Sequence, residues 1–278
     1  KRTYATIRCK DVMCAEELCS IKKYGYREDA MKITPESAAK AYEELLRTAR
    51  VEIMFEGCGD PTLAKDIFAQ KFAGVKREPI ELSRSLVKAQ QGAVKEETER
   101  MEVKQGKLVM GFRVEGIEDY RRMNMARITF ALFGGTANSL LFKNVREKMS
   151  LCYYCSSGYD RSNSIMMVSS GVEAENAQKA RDEVLHQLEM LKNGEFTDRE
   201  LEETKLFIRT ALMATSDSLG AMDSWYLAQT VGGSEVSPDM EIELSAQVSR
   251  EDVIWVANHT HLDTVYMLMP NENQKEAE

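Results

Sequence analysis

Histidine is scarce in this chain: there are three in 278 residues, His186, His259 and His261. None stands four residues from another, so no helix can offer the paired imidazoles of a catalytic metal centre. Basic charge is also short. With 37 Lys and Arg against 45 Asp and Glu, and a net charge of −8, the chain lacks the electropositive footprint of a nucleic-acid binder. No apolar run approaches the roughly 18 residues that span a bilayer, and no signal-like apolar stretch opens the chain. The expected partners therefore exclude nucleic acid and membrane. Six cysteines are spread through a large chain, unlike the dense framework of a small secreted domain, and this leads us to expect free thiols and a cytoplasmic location. Cys152 and Cys155 form a C-x-x-C, but in a predicted strand residues three apart face opposite ways, which argues against joint chemistry. Gly134-Gly135 lacks the lysine of a phosphate-binding loop.

What the chain does contain is a mixture of helical and strand periods. Residues 1 to 24 read as a helix of weak apolar pattern. Thr34 with Pro35 opens a helix to about Thr48, followed by an apolar strand over 51–56 and a helix over 61–72. Residues 73–92 show no clear period. Beyond them Leu108, Met110, Phe112 and Val114 alternate as a strand, residues 118–133 read as a buried helix, and 164–172 can pair back through a turn at 161–163. The helix over 174–193 puts Ala177, Ala180, Val184, Leu188 and Leu191 on one stripe. Thr197 and Glu200 make a capping box for the next helix. Without strict βαβ alternation, this order predicts a two-layer α+β fold.

The most informative stretch runs from Gly134 to Tyr154. Asn138 or Ser139 can cap a helix whose Leu140, Leu141 and Val145 turn inward, and after a turn at Met149-Ser150 a strand follows. Arg146 at the helix end and Tyr153 at the strand start, seven residues later, can converge on one spot. There they would donate hydrogen bonds to a peptide carbonyl or its oxyanion. A helix-end arginine and a packed tyrosine without chemical role would satisfy the same spacing. A second long-range pattern is internal. Ile33-Thr34-Pro35-Glu36-Ser37-Ala38 with Val51–Phe55 matches Val248-Ser249-Arg250-Glu251-Asp252-Val253 with Val265–Met269. The offset is 215 residues at the helix (33 to 248) and 214 at the strand (51 to 265), which suggests duplication.

From Gly134 through Tyr154, and onward through the Thr197 helix start and the break at Ser216-Asp217-Ser218, the chain resembles the second, non-metal-binding half of insulinase/pitrilysin-type zinc metallopeptidases, which include processing-peptidase-like proteins. The resemblance implies a two-layer α+β half-domain whose mixed, mostly antiparallel sheet is covered by helices on one face. It implies residues 1–75 as the tail of a first homologous half, 76–93 as a connector and 94–278 as the second half. Because the chain starts without methionine and that first half would begin upstream of Lys1, the expectation is a fragment of a longer protein. Arg146 and Tyr153 are the implied substrate-binding pair. The family's H-x-x-E-H is absent, so the resemblance implies no catalytic residue, metal ligand or cofactor in this chain. Zinc is expected only in the first half or in a partner, and the chain alone should be inactive. The implied partners are a peptide substrate and either the first half-domain or a catalytic homologous subunit. The alternative is a non-catalytic peptide-binding or scaffold subunit working beside an active peptidase.

Overall fold

The computed structural model describes residues 1–81 and 92–271. Along the chain come α1 (Arg2–Met13), α2 (Pro35–Thr48), α3 (Pro61–Phe72), β1 (Lys95–Met101), β2 (Gly106–Val114) and α4 (Tyr120–Phe130). Two π-helical segments follow, Ala131–Gly135 and Phe142–Lys148. The rest is β3 (Cys152–Asp160), β4 (Ile165–Val172), α5 (Ala177–Lys192), α6 (Asp198–Met213), α7 (Leu219–Gly232), α8 (Pro238–Ala246), α9 (Arg250–Asn258) and β5 (Thr260–Pro270).

The five strands form one sheet in the order β1-β5-β2-β4-β3. β1 and β5 run parallel and the other three pairings are antiparallel, the mixed, mostly antiparallel α+β sheet that the sequence predicts. Side chains alternate along β2, so Leu108, Met110, Phe112 and Val114 share one face and Val109, Gly111 and Arg113 the other. All seven are buried or form part of close backbone contacts, so both faces are covered. The Leu108 face receives the helical layer, with the Phe130 ring of α4 5.1 Å from Tyr159 of β3. The α5 stripe of Ala177, Ala180, Val184, Leu188 and Leu191 is buried as its spacing requires.

The Val109 face receives α1, which adds a helix to the side the sequence reading left open. Ala5, Cys9 and Met13, spaced one helical turn apart, are fully buried against Val109, Ile165 and their neighbours. Burying a methionine of this kind stabilises by about 1.5–3 kcal/mol. A Cβ on Gly111 would lie 2.7 Å from Met13 Sδ, so a larger residue there would make that methionine side chain shift. Polar ties fix the helix along its length: Tyr4 and Tyr266 both donate to Glu99, and Lys10 pairs with Asp160 at 3.0 Å. At its end Arg113 donates to the Met13 carbonyl, to both oxygens of Glu17 and to Asp263. Asp263 is the extra residue where β5 slips against β2. The bulge frees its side chain to turn toward the arginine.

By contacts, residues 1–20, 92–213 and 236–271 form one compact unit, and residues 21–81 with 214–235 form a second. Residues 1–20 therefore group with the sheet and not with 21–75 as the sequence boundaries place them. Most of the expected connector, residues 82–91, lies outside the described residues. In the second unit Thr34 and Ser37 make a reciprocal capping box for α2, and Asp60 caps α3. The two members of the internal repeat share this helix start, since Ser249 and Asp252 make the same box for α9. They part at the strand: Val265–Met269 lies inside β5, whereas Val51–Phe55 forms no strand and is exposed. A strand needs a partner ladder, and among the described residues of that unit there is none.

Candidate functional site

The sequence between α4 and β3 builds a loop on the edge strand of the sheet. α4 continues past Phe130 as the wide π turn Ala131–Gly135, which carries Gly134 against β3: a Cβ there would lie 2.7 Å from the Ser157 nitrogen. Ser157 Oγ donates back to the Phe130 carbonyl at 2.8 Å. Thr136, and not Asn138 or Ser139, is the turn's acceptor, taking the Asn138 N–H on its hydroxyl and the Ser139 N–H on its carbonyl. Ser139 is buried, with its hydroxyl unpaired among the described residues. The next helix is also π-helical through Phe142–Lys148, a geometry often found at functional sites. It is held from behind by Asn144 donating to Gln187 at 2.7 Å and by the Lys143–Glu200 ion pair at 3.2 Å. Glu200 meanwhile closes its predicted capping box with Thr197.

Arg146 emerges from this segment with its guanidinium 4.5 Å from the Phe142 ring centroid. It lines a 230 Å³ cavity with Arg2, the backbone turn at Gly134–Ala137, Tyr154, Cys155 and Ser156. Arg2 reaches in from α1, stacking 4.1 Å from the Tyr154 ring centroid and donating to Ser156 Oγ at 2.9 Å. Among the described residues neither guanidinium has a carboxylate partner, although the chain as a whole is acidic. The cavity therefore presents two cations, the carbonyl and amide groups of a glycine turn, and no countercharge. That arrangement suits an oxygen-rich, electron-dense group.

Tyr153 is placed differently from the sequence expectation. β3 slips by one residue against β4 between Cys152 and Tyr154. The extra residue is Tyr153, which is 62% exposed. Its phenol pKa is raised, chiefly by a hydrogen bond with Glu173. Arg146 and Tyr153 thus flank the start of one strand without sharing a cavity wall, and the tyrosine beside Arg146 is Tyr154. Arg2 carried no sequence signal, because its place depends on α1 docking on the sheet.

The residues present do not fit a catalytic zinc. His259 stacks on Trp255, ring centroids 3.9 Å apart, with Nδ1 on the Trp255 carbonyl oxygen. Asp263, which alternation would place beside His259 and His261 as a third ligand, is held by Arg113. Among the described residues the one group with metal-ligand proximity is Cys14, Glu17 and Cys19. Both Glu17 oxygens there are already bound by Arg113. The Cys14 thiol is pushed up to about 12, first by burial and then by its hydrogen bond with Cys19. A protonated thiol and an occupied carboxylate are poor ligands.

The five-stranded α+β fold thus carries an arginine-bearing π segment beside its edge strand, and among the described residues no side-chain set suits a catalytic zinc. The chain belongs to the Peptidase M16 inactive domain family, which it matches over residues 32–206. It is 28% identical over 274 residues to a Bacillus subtilis (strain 168) protein named "Probable inactive metalloprotease YmfF", covering 98% of this chain and 64% of that one. A conserved protein from Enterococcus faecalis V583 shares the fold with a TM-score of 0.87 and 24% identity, over 98% of this chain and 64% of that chain. The M16 inactive domain from Pseudomonas fluorescens does so at 0.79 and 20%, over 96% of this chain and 65% of that one. The chain spans about 64% of the length of the Bacillus relative. Among the described residues no helix is long and apolar enough to cross a membrane.

Proposed function

We propose that this chain is the non-catalytic, substrate-facing part of an M16-type peptidase assembly. It holds an extended peptide while a first half-domain or a catalytic homologous subunit supplies zinc and general base. The observation that carries this reading is the pair of guanidiniums, Arg146 and Arg2, open to a cavity that lies at the sheet's edge strand. A peptide can add to such an edge through its backbone and present carbonyl oxygens to neighbouring donors. Tyr153, exposed from the bulge, offers a second donor on the same stretch of β3. A wholly non-catalytic role, as a peptide-binding or scaffold subunit, is favoured by the inactive designation of the Bacillus relative.

The test is peptide hydrolysis by the assembly with its catalytic partner. Arg146→Ala or Tyr153→Phe should lower kcat by about 10²–10³ with a smaller change in KM, the pattern of a donor used in the transition state. A rise in KM alone would favour the scaffold role. Unchanged turnover in both variants, with peptide affinity also unchanged, would overturn both readings.

A further inference from the structure

The bulge that exposes Tyr153 does something else. Cys152 stands opposite Val172, and Cys155 stands opposite Ser170. Val172 and Ser170 are two apart on β4 and so share a face. The two cysteines must therefore share that face as well, although they are three apart. Alternation alone predicts opposite faces for Cys152 and Cys155, and the extra residue corrects that expectation. The thiols lie on one face beneath the strand, where Cys152 and Cys155 share a side-chain hydrogen bond. That hydrogen bond, opposed by burial and aided by Ser170 and the Arg146 charge, brings Cys152 down to about 7, while Cys155 is driven well up. Cys155 also lines the cavity that Arg146 and Arg2 form, so that cavity borders the pair on its Cys155 side. Of the other four cysteines, Cys14 and Cys19 also pair, beside Glu17, but burial and their hydrogen bond push Cys14 up to about 12, while Cys9 is buried on the inner side of α1 and Cys58 is exposed.

We propose that Cys152 and Cys155 form a peroxide-sensitive dithiol, with Cys152 as the attacking sulfur and Cys155 as the resolving one. The Cys152 thiolate attacks one oxygen of hydrogen peroxide. An S–O bond forms, the O–O bond breaks, and hydroxide leaves and takes a proton to become water. The sulfur is oxidised to a sulfenic acid as the peroxide is reduced. Cys155, giving up its proton as it attacks, then forms the S–S bond and expels the sulfenic oxygen as a second water. Two thiols and one peroxide become one disulfide and two waters. A metal fits the pair less well, because among the described residues no third ligand group lies near these two sulfurs. Bridging sulfurs must approach to about 2.05 Å. Since Tyr153 lies between them, oxidation would tighten the bulge that presents it.

The experiment treats the full chain with hydrogen peroxide across pH 5 to 9, traps thiols by alkylation and maps the products by mass spectrometry. The expected result is a Cys152–Cys155 disulfide formed before Cys58 is modified, at a rate rising with a midpoint near the Cys152 value of about 7 rather than the ~8.5 of an ordinary thiol. Cys155→Ser should lose the disulfide and accumulate a dimedone-reactive sulfenic acid at Cys152, whereas Cys14→Ser should leave the bridge intact. Oxidation appearing first at Cys58 or between Cys14 and Cys19 would overturn the proposal. So would a Cys152 that reacts with the pH dependence of an ordinary thiol. The wild-type map is decisive even if a serine variant fails to fold.

Discussion

Gly134 and Ser157 are separated by so little space that a methyl group on Gly134 would lie 2.7 Å from the Ser157 backbone nitrogen and 2.9 Å from its hydroxyl. The neighbour here is backbone of the edge strand, which cannot swing aside. Gly134→Ala should destabilise the protein by about 1–3 kcal/mol through overpacking and shift the turn that lines the Arg146 cavity. Gly158, one residue beyond Ser157, has nothing within 4 Å of an added Cβ. Gly158→Ala should therefore be close to neutral, and denaturant unfolding of the two variants checks the contrast.

Arg146 and Tyr153 give a prediction through their coupling. If both donate to one carbonyl oxygen in the assembled enzyme, the double variant Arg146→Ala/Tyr153→Phe should lose less turnover than the product of the single losses. Full additivity would mean that they act on different parts of the peptide, as their separate surroundings in the unliganded fold allow.

Arg113 and Asp263 are 4% and 5% exposed and pair at 2.8 Å. Asp263→Ala would leave a buried guanidinium short of one countercharge and should cost about 3–5 kcal/mol. Because the same arginine holds the Met13 carbonyl and Glu17, amide exchange should accelerate at the end of α1 beyond the global loss of stability. Uniform acceleration across the chain would argue against this local tie.

Asp160 sets an acid limit. Burial raises its pKa, but hydrogen bonds from Asn163 and the Lys10 ammonium outweigh burial and hold it below the usual carboxylate value. A carboxyl depressed in the folded state contributes stability above its unfolded pKa, and that contribution is lost as pH falls through the folded value. Stability should therefore decline below about pH 4, and Asp160→Asn should flatten that decline. Thermal unfolding between pH 2.5 and 7 reads both curves.

Local signals in this sequence were the legible ones. Thr34, Thr197 and Ser249 start helices because each supplies an oxygen to an unpaired N–H, and that chemistry is complete within four residues. The alternation of β2 and the stripe of α5 are likewise readable, since burial follows the period of the element. The order of the strands was not, because it depends on which edges meet in space. The seat of α1 was obscured for a related reason. Its Ala5, Cys9 and Met13 stripe is made of small or soft residues, and Tyr4 and Ile7 lie exposed beside it. Around Arg146 the glycine break and the apolar positions of the segment are readable, but the π turns and the one-residue slip at Tyr153 leave no mark in composition or spacing. That slip moved Cys152 to the face of Cys155 and left Tyr154, not Tyr153, beside the arginine.

Val51, Ile53 and Phe55 are each more than two-fifths exposed, and they border a 440 Å³ hollow with Phe68 and Phe72. In solution such a segment behaves as an adhesive seam. An exposed apolar segment outside any strand invites another chain to lie alongside, and its apolar residues reward whatever does so. The colloidal behaviour of the isolated polypeptide is thereby tied to a few residues that do not line the arginine cavity. Solubility should fall with concentration long before folding fails, and a lysine at position 53 should restore it without altering the five-stranded sheet.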